Sequence, residues 1–266
     1  MNNPLYDRIG AGYDTTRKAD PEICRRLYNL LQVPDNRKVV DLACGSGNYT
    51  IALARMGLNI SGVDISETML KAAKKKSRDI KWHRADIESL PFPSHEYGGA
   101  LCTLAIHHFR SLHLSFREIY RVLACGSRFV IFTAAPEQMK GYWLNEYFPE
   151  MMAKSIERMP DRKAVTEALT DNGFTILGYE TFVIQRDLQD FFLYSGKYRP
   201  EIYLLPEVRA GISSFASMAS PEEVEHGIKR LESDIRDGTF RTKALKYGSD
   251  LGDYMFVIAE KPETAG

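Results

Sequence analysis

This sequence predicts a doubly wound α/β fold. Apolar runs of strand length recur along residues 38–133, helix starts and stops alternate with them, and a two-glycine turn follows the first run. That alternation describes a mostly parallel sheet with helices packed on both faces.

The elements follow in order. Leu5-Tyr6-Asp7-Arg8-Ile9 and Gly12-Tyr13-Asp14, ending in Arg17-Lys18, set paired aromatics among charges, as expected of a segment folded over something. Asp20-Pro21-Glu22 starts a helix with a capping acid and a proline at the first position. Ile23, Leu27, Leu30 and Leu31 keep one of its faces apolar. Residues 38–43 are the first strand. Val39 to Thr50 then passes through Asp41 and Cys44-Gly45-Ser46-Gly47 into a helix over 48–56, stopped by Gly57. Glycines in such a turn tolerate positive φ and let backbone approach a ligand closely. Residues 59–64 are the second strand, and Ser66 caps a helix carrying Met69, Leu70 and Ala73 inward. Strands over 80–85 and 98–105 precede Asp86 and Ile106-His107-His108-Phe109. Ser111 opens a helix with Leu112, Phe116, Ile119, Val122 and Leu123 on its buried face, stopping near Gly126, and 128–133 is the fifth strand.

Beyond Pro136 the rhythm changes. Residues 139–159, rich in Met and aromatics, read as helix, 162–172 as a shorter helix and 174–184 as a strand. A helical region over 187–237 follows, its last helix opened by the capping box Ser220-Pro221-Glu222-Glu223, and 254–259 is a final strand. The expected division is an N-terminal helical lid (1–36), a ligand-binding core (37–135), a cap (136–160), a continuation of the core (161–186), a second cap insertion (187–240), and a last strand with its tail (241–266).

At 266 residues the chain buries a sizeable core. Lysine plus arginine equals aspartate plus glutamate at 35 each, so bulk charge argues against nucleic acid or an anionic membrane as partner. The run Lys71, Lys74, Lys75, Lys76 reads as a solvated helix face. No apolar stretch approaches the roughly 18 residues of a membrane span. Cys24, Cys44, Cys102 and Cys125 lack metal-like spacing and read as small buried residues in a reducing compartment, so no metal is expected and the cytoplasm is. Monomer and dimer stay equally open.

Open α/β sheets bind ligands beyond the carboxyl ends of their strands. Those ends here are Asp41 to Gly47, Asp64, Asp86 and Ala105 to His108. Asp64 lies 19 residues after Gly45, the spacing at which a second-strand acid meets ribose hydroxyls. A dinucleotide fingerprint fits less well: its third glycine falls on Thr50, and Asp41 puts an acid where a pyrophosphate would approach. An acid there suits a ligand with a cationic end.

On these residues the chain resembles the class I S-adenosylmethionine-dependent methyltransferases, in the group that includes ubiquinone/menaquinone-type and small-molecule enzymes. Asp41-Leu42-Ala43-Cys44-Gly45-Ser46-Gly47 is similar to the family's glycine-rich motif, with Ala43 in place of its first glycine. Gly62-Val63-Asp64-Ile65-Ser66, with Met69 beyond, resembles the ribose motif, and Ala85-Asp86-Ile87-Glu88-Ser89-Leu90-Pro91-Phe92 the adenine segment. Leu104-Ala105-Ile106-His107-His108 resembles the fourth-strand motif beside the methyl, and Tyr6-Asp7 with Tyr13-Asp14 the segment that closes over the methionine end.

The resemblance covers about residues 5–135 and implies a seven-stranded sheet whose last strand is antiparallel. It implies S-adenosylmethionine as cofactor and S-adenosylhomocysteine as product. Cys44, Gly45 and Gly47, with Ala43, would line the methionine moiety and Asp41 would face its ammonium. Asp64 would take the ribose hydroxyls, Asp86 the adenine amino group, and Ile65 and Ile87 the ring. Tyr13, Arg17, Met69 and Leu104 are further expected cofactor contacts, and His107 and His108 the candidate catalytic bases. Tyr142, Trp143, Tyr147, Tyr194 and Tyr198, in the aromatic cap, are the candidate lining of a pocket for a small-molecule acceptor. Two other readings stand beside this one: a methyltransferase acting on RNA or protein, and a non-catalytic cofactor-binding protein.

Overall fold

The computed structural model describes residues 13–263, apart from the side chain of Tyr13. Seven strands form one sheet: β1 (Lys38–Leu42), β2 (Asn59–Asp64), β3 (Trp82–Arg84), β4 (Tyr97–Thr103), β5 (Leu123–Thr133), β6 (Thr175–Phe182) and β7 (Tyr254–Glu260). Their order is β3-β2-β1-β4-β5-β7-β6. The first five run parallel, and β7 is antiparallel to both β5 and β6.

Side chains of a strand alternate between faces, and here both faces are buried. Along β5, Val130 and Phe132 enter one core and Phe129 and Ile131 the other. The first core takes Ile23, Leu27 and Leu31 of the helix Pro21–Leu31, Leu53 of the helix Asn48–Arg55, and the cap. The second takes Phe116 and Ile119 of the helix Leu112–Val122 and Val165 and Leu169 of the helix Arg162–Asp171. Caps stand where the sequence placed them. Asp20 accepts from the backbone N–H of Glu22 and Ile23, Ser66 from Met69, Ser111 from Leu114 and Ser220 from Glu223.

Three expectations need correction. The helix expected to run to Gly126 ends at Val122, because Leu123 already pairs with Tyr97 and belongs to β5. The expected helix over 139–159 is three helices, Pro136–Lys140, Leu144–Tyr147 and Pro149–Arg158, since a proline at 149 starts a helix but cannot continue one. Within 187–237 only Pro206–Ala210, Ser213–Ser217 and Pro221–Arg236 are α-helical, preceded by a 3-10 turn at Pro200–Leu204. Among the described residues no helix is long and apolar enough to cross a membrane.

The cap has an aromatic interior of its own. Tyr142 stacks on Tyr194 at 4.0 Å, and Trp143 meets Tyr203 and Phe240 edge-on. Asp253, just before β7, ties it to the sheet. Its carboxylate accepts from Ile184 N and Lys197 Nζ, both at 2.8 Å, and its carbonyl accepts from the Tyr142 hydroxyl.

The turn after β1 packs against Trp82 of the edge strand β3. Gly47 has φ +77°, and a Cβ there would lie 2.3 Å from the Trp82 ring. Gly47→Ala is expected to lower the unfolding free energy by about 3 kcal/mol, the sum of left-handed strain and overpacking. In a Trp82→Ala background the same change should cost only about 1–2 kcal/mol, the strain alone. Urea titration of the four proteins measures the difference.

Candidate active site

The sheet reverses its order between β1 and β4, and the loop after β1 opens into the crevice where their carboxyl ends part. Ala43, Gly45 and Gly47 all take positive φ, at 56°, 56° and 77°. Ala43 thus holds a conformation that costs a non-glycine residue about 1 kcal/mol. Asp64 fixes the turn from the neighbouring strand: its Oδ2 accepts from Gly45 N and its Oδ1 from Ser66 N, both at 2.8 Å. A Cβ on Gly45 would meet nothing within 4 Å, so the turn borders open space.

Asp41 stands at the base of that space, 2% exposed, its Oδ2 accepting from Thr50 Oγ1 at 2.6 Å. Burial pushes its carboxyl up to about 7; the Thr50 hydrogen bond opposes the rise and the charge of Asp64 adds to it. Burial likewise holds the Cys44 thiol well above its usual range, so Cys44 is no thiolate.

Two polar clasps close the crevice. Asp14 Oδ1 accepts from Ser46 Oγ at 2.5 Å, Asn48 Nδ2 at 3.0 Å and Lys76 Nζ at 2.9 Å. Burial works against that carboxylate, but Lys76, Ser46 and Asn48 together hold it below its usual pKa. The second clasp pairs Arg17 with Asp190 through two contacts, at 2.5 and 3.2 Å, while Tyr49 donates to Asp190 at 3.1 Å. Phe191 N also donates to Thr16 O at 3.1 Å, so the segment around Arg17 is sewn to the cap.

Two cavities meet at Arg17. The inner one lies over the glycine turn, lined by Arg17, Lys18, Asp41, Ala43 to Ser46, Asn48, Tyr49, Thr103 and Asp190. The outer cleft spans about 600 Å³ to its mouth and is walled by Arg17, Leu104, His107 and cap residues including Met139, Tyr142, Arg158, Met159, Phe192, Ile212 and Met218. His107 and His108 follow β4 on a 3-10 turn, ring centres 4.0 Å apart. Burial, with Arg158 nearby, lowers the pKa of both: His107 far below its usual range, with His108 and Arg17 adding to the fall, and His108 to about 4. His107 Nδ1 is buried without a hydrogen-bond partner among the described residues.

Of the other expected site residues, Asp86 follows β3 and is paired with Arg110 at 2.5 Å. Ile65 is 50% exposed beside Asp64, whereas Ile87 is buried in the second core and Met69 on the inner face of its helix. Leu104 lines the outer cleft, not the inner cavity. Tyr6-Asp7 and the Tyr13 side chain lie outside the described residues. Among the five cap aromatics only Tyr142 lines the cleft. Trp143, Tyr147 and Tyr194 fill the cap interior, their polar ends bonded to Lys197 O, Asp234 and Trp143 N respectively. Tyr198 lies on the surface under Arg186 and Lys197. Sequence reasoning missed Asp190, Arg158 and the methionines of the cleft. No local motif marks them, because they converge from distant segments.

A family model for a methyltransferase domain matches residues 40–131. A crystal structure of a candidate methyltransferase from an antibiotic biosynthesis pathway of Anabaena variabilis superimposes with a TM-score of 0.83 at 32% identity, covering 91% of this chain and 98% of that one. The chain belongs to the class I S-adenosylmethionine-dependent methyltransferases. The demethylmenaquinone methyltransferase of Thermus thermophilus is 24% identical over 202 residues, 65% of this chain and 92% of that protein. The malonyl-[acyl-carrier protein] O-methyltransferase of Legionella pneumophila is 31% identical over 153 residues, and the match spans only 53% of its length.

The residues at the glycine turn fit the family's donor. Gly45 leaves room for it, Thr103 Oγ1 is buried in the cavity wall without a partner among the described residues, and Asp41 offers a carboxylate to a cationic end. Asp41 makes this testable. A cation beside it lowers its pKa, so near pH 6 binding of S-adenosylmethionine should release a proton and affinity should rise with pH through about 7. Calorimetry in buffers of different ionisation enthalpy reads the release, which Asp41→Asn should abolish. The sign is opposite for the free protein. A carboxyl raised in the fold contributes stability below about pH 4 that is lost as pH rises to about 7, so Asp41→Asn should gain stability over wild type across that window.

Proposed function

We propose that this methyltransferase acts on a small organic acceptor held in the outer cleft. The observation that carries the reading is the junction at Arg17, where the cavity over the glycine turn meets a largely apolar cleft roofed by the cap. The named relatives support it, since one acts on demethylmenaquinone and another on a malonyl group carried by a protein.

In this reading the backbone from Ala43 to Gly47 lines the methionine end and Asp41 faces its ammonium. Asp64 accepts from the ribose hydroxyls with lone pairs not used by Gly45 and Ser66. Asp86 accepts from the adenine amino group beside Arg110, and the exposed face of Ile65 covers the ring. S-adenosylmethionine supplies, when bound, a methyl group on a positively charged sulfur, already activated for transfer. What remains for the protein is alignment and the exclusion of water, for which the cap and the two clasps are placed. His107 is neutral throughout the physiological range, and its Nδ1 has no other partner among the described residues. It takes the proton of an acceptor hydroxyl or amine as that atom attacks.

Release of S-adenosylhomocysteine on incubation with a metabolite panel is the expected result. Labelling of bulk RNA with no product from any small acceptor would overturn the proposal. Asp64→Asn should weaken S-adenosylmethionine binding about 10–100-fold, through loss of charge-assisted hydrogen bonds. His107→Gln should lower kcat by about 100-fold with KM little changed, as expected for a lost general base.

A further inference from the structure

We propose that the acceptor is a small amphipathic carboxylate, its apolar body in the outer cleft and its carboxylate on Arg158. This rests on the reading that the outer cleft holds the acceptor, and it assigns Arg158 as the residue that selects it.

The chain as a whole is electrically neutral, with 35 basic and 35 acidic residues. The cleft is not. Among the described residues its walls carry Arg17, Arg158 and His107 and no acid. Arg17 is matched by the buried Asp190, which takes two of its hydrogen bonds. Arg158 has no carboxylate within ion-pair distance among the described residues. Its Nε donates to His107 O at 3.3 Å and its Nη2 lies 3.4 Å from His108 Nδ1. A guanidinium carries five N–H donors in a planar fork that suits a carboxylate, and these two contacts leave the others open. A cation in the last turn of a helix suits the helix dipole whichever way it points. Here it is exposed, yet it lies against the histidine turn and in the cleft wall.

The rest of the wall suits an apolar body of variable shape. Met139, Met159 and Met218 present flexible thioether chains beside Phe192 and Ile212. A wholly apolar acceptor would cover the cleft side of Arg158, displacing water from it there, and return no counter-charge. A carboxylate compensates that loss. It also relieves the pressure that Arg158 exerts on both imidazoles, so the same contact that seats the acceptor makes His107 a better proton acceptor.

The test is binding, with the full chain saturated with S-adenosylhomocysteine. Benzoate, 2-naphthoate, 3-phenylpropionate and decanoate are titrated by calorimetry, each beside its primary amide. At least one acid should bind about tenfold or more tighter than its amide, the scale of one charge-assisted pair. In Arg158→Gln that preference should fall to about threefold or less, and Arg158→Lys should restore part of it. Retained S-adenosylhomocysteine binding by Arg158→Gln reports that the variant is folded. Amides binding as well as acids, a preference that survives in Arg158→Gln, or no acid bound at millimolar concentration would each overturn the proposal. Failure of the wild type to bind S-adenosylhomocysteine would overturn the donor-site reading as well, which separates the two.

Discussion

Each oxygen of the Asp64 carboxylate accepts a backbone N–H from a different turn, Gly45 after β1 and Ser66 after β2. A left-handed turn such as Ala43 to Gly47 needs outside support to persist, and this buried acid supplies it. The turn in turn sets where the helix Asn48–Arg55 begins, and with it the positions of Tyr49, which meets Asp190, and Thr50, which meets Asp41. The inner cavity is therefore shaped by one carboxylate at the end of a strand that does not itself carry the loop.

Charge in this molecule is organised locally, not in bulk. Four acids surround the glycine turn, but each is given a different task by its neighbours. Asp14 is clasped by Lys76, Asp190 by Arg17, and Asp64 by backbone N–H groups, while Asp41 is left with a hydroxyl and is held near neutrality. The outer cleft inverts the sign, with arginines facing neutral imidazoles. Because Arg17 stands in the wall of both cavities, the two share a structural element. Any preference of one ligand for a particular setting of Arg17 is felt equally by the other.

Most of the sheet was legible because its signals are local. Apolar runs, capping residues and stop glycines lie within a few residues of what they specify, so β1 to β4 and their helices appear where the pattern puts them. The glycine turn was legible for the same reason: Asp41 to Gly47 is contiguous, and Asp64 and Asp86 sit at or just past strand ends. The cap was not. Apart from Pro221–Arg236, its helices are short and begin at prolines such as Pro149 and Pro206, so periodicity has too few turns to register. Its aromatics serve equally well as filler and as lining, and sequence does not separate Tyr142, which lines the cleft, from its stacking partner Tyr194, which does not. Arg158, Phe192 and Met218 share a wall only after the chain has folded.

The place of β7 has a consequence for how the protein is assembled. It lies between β5 and β6, so neither of those strands is paired on that side until β7 arrives. Between Phe182 at the end of β6 and Tyr254 at the start of β7 runs the whole second part of the cap. Closing so long a loop is entropically expensive and slow unless the intervening segment is already compact. The aromatic interior of the cap, and Asp253 gripping Ile184, Lys197 and Tyr142, bring the two strand ends together. Compactness of the cap thus lowers the entropic cost of closing the sheet. Substitutions inside the cap that look remote from the sheet will register first as slower or less complete refolding.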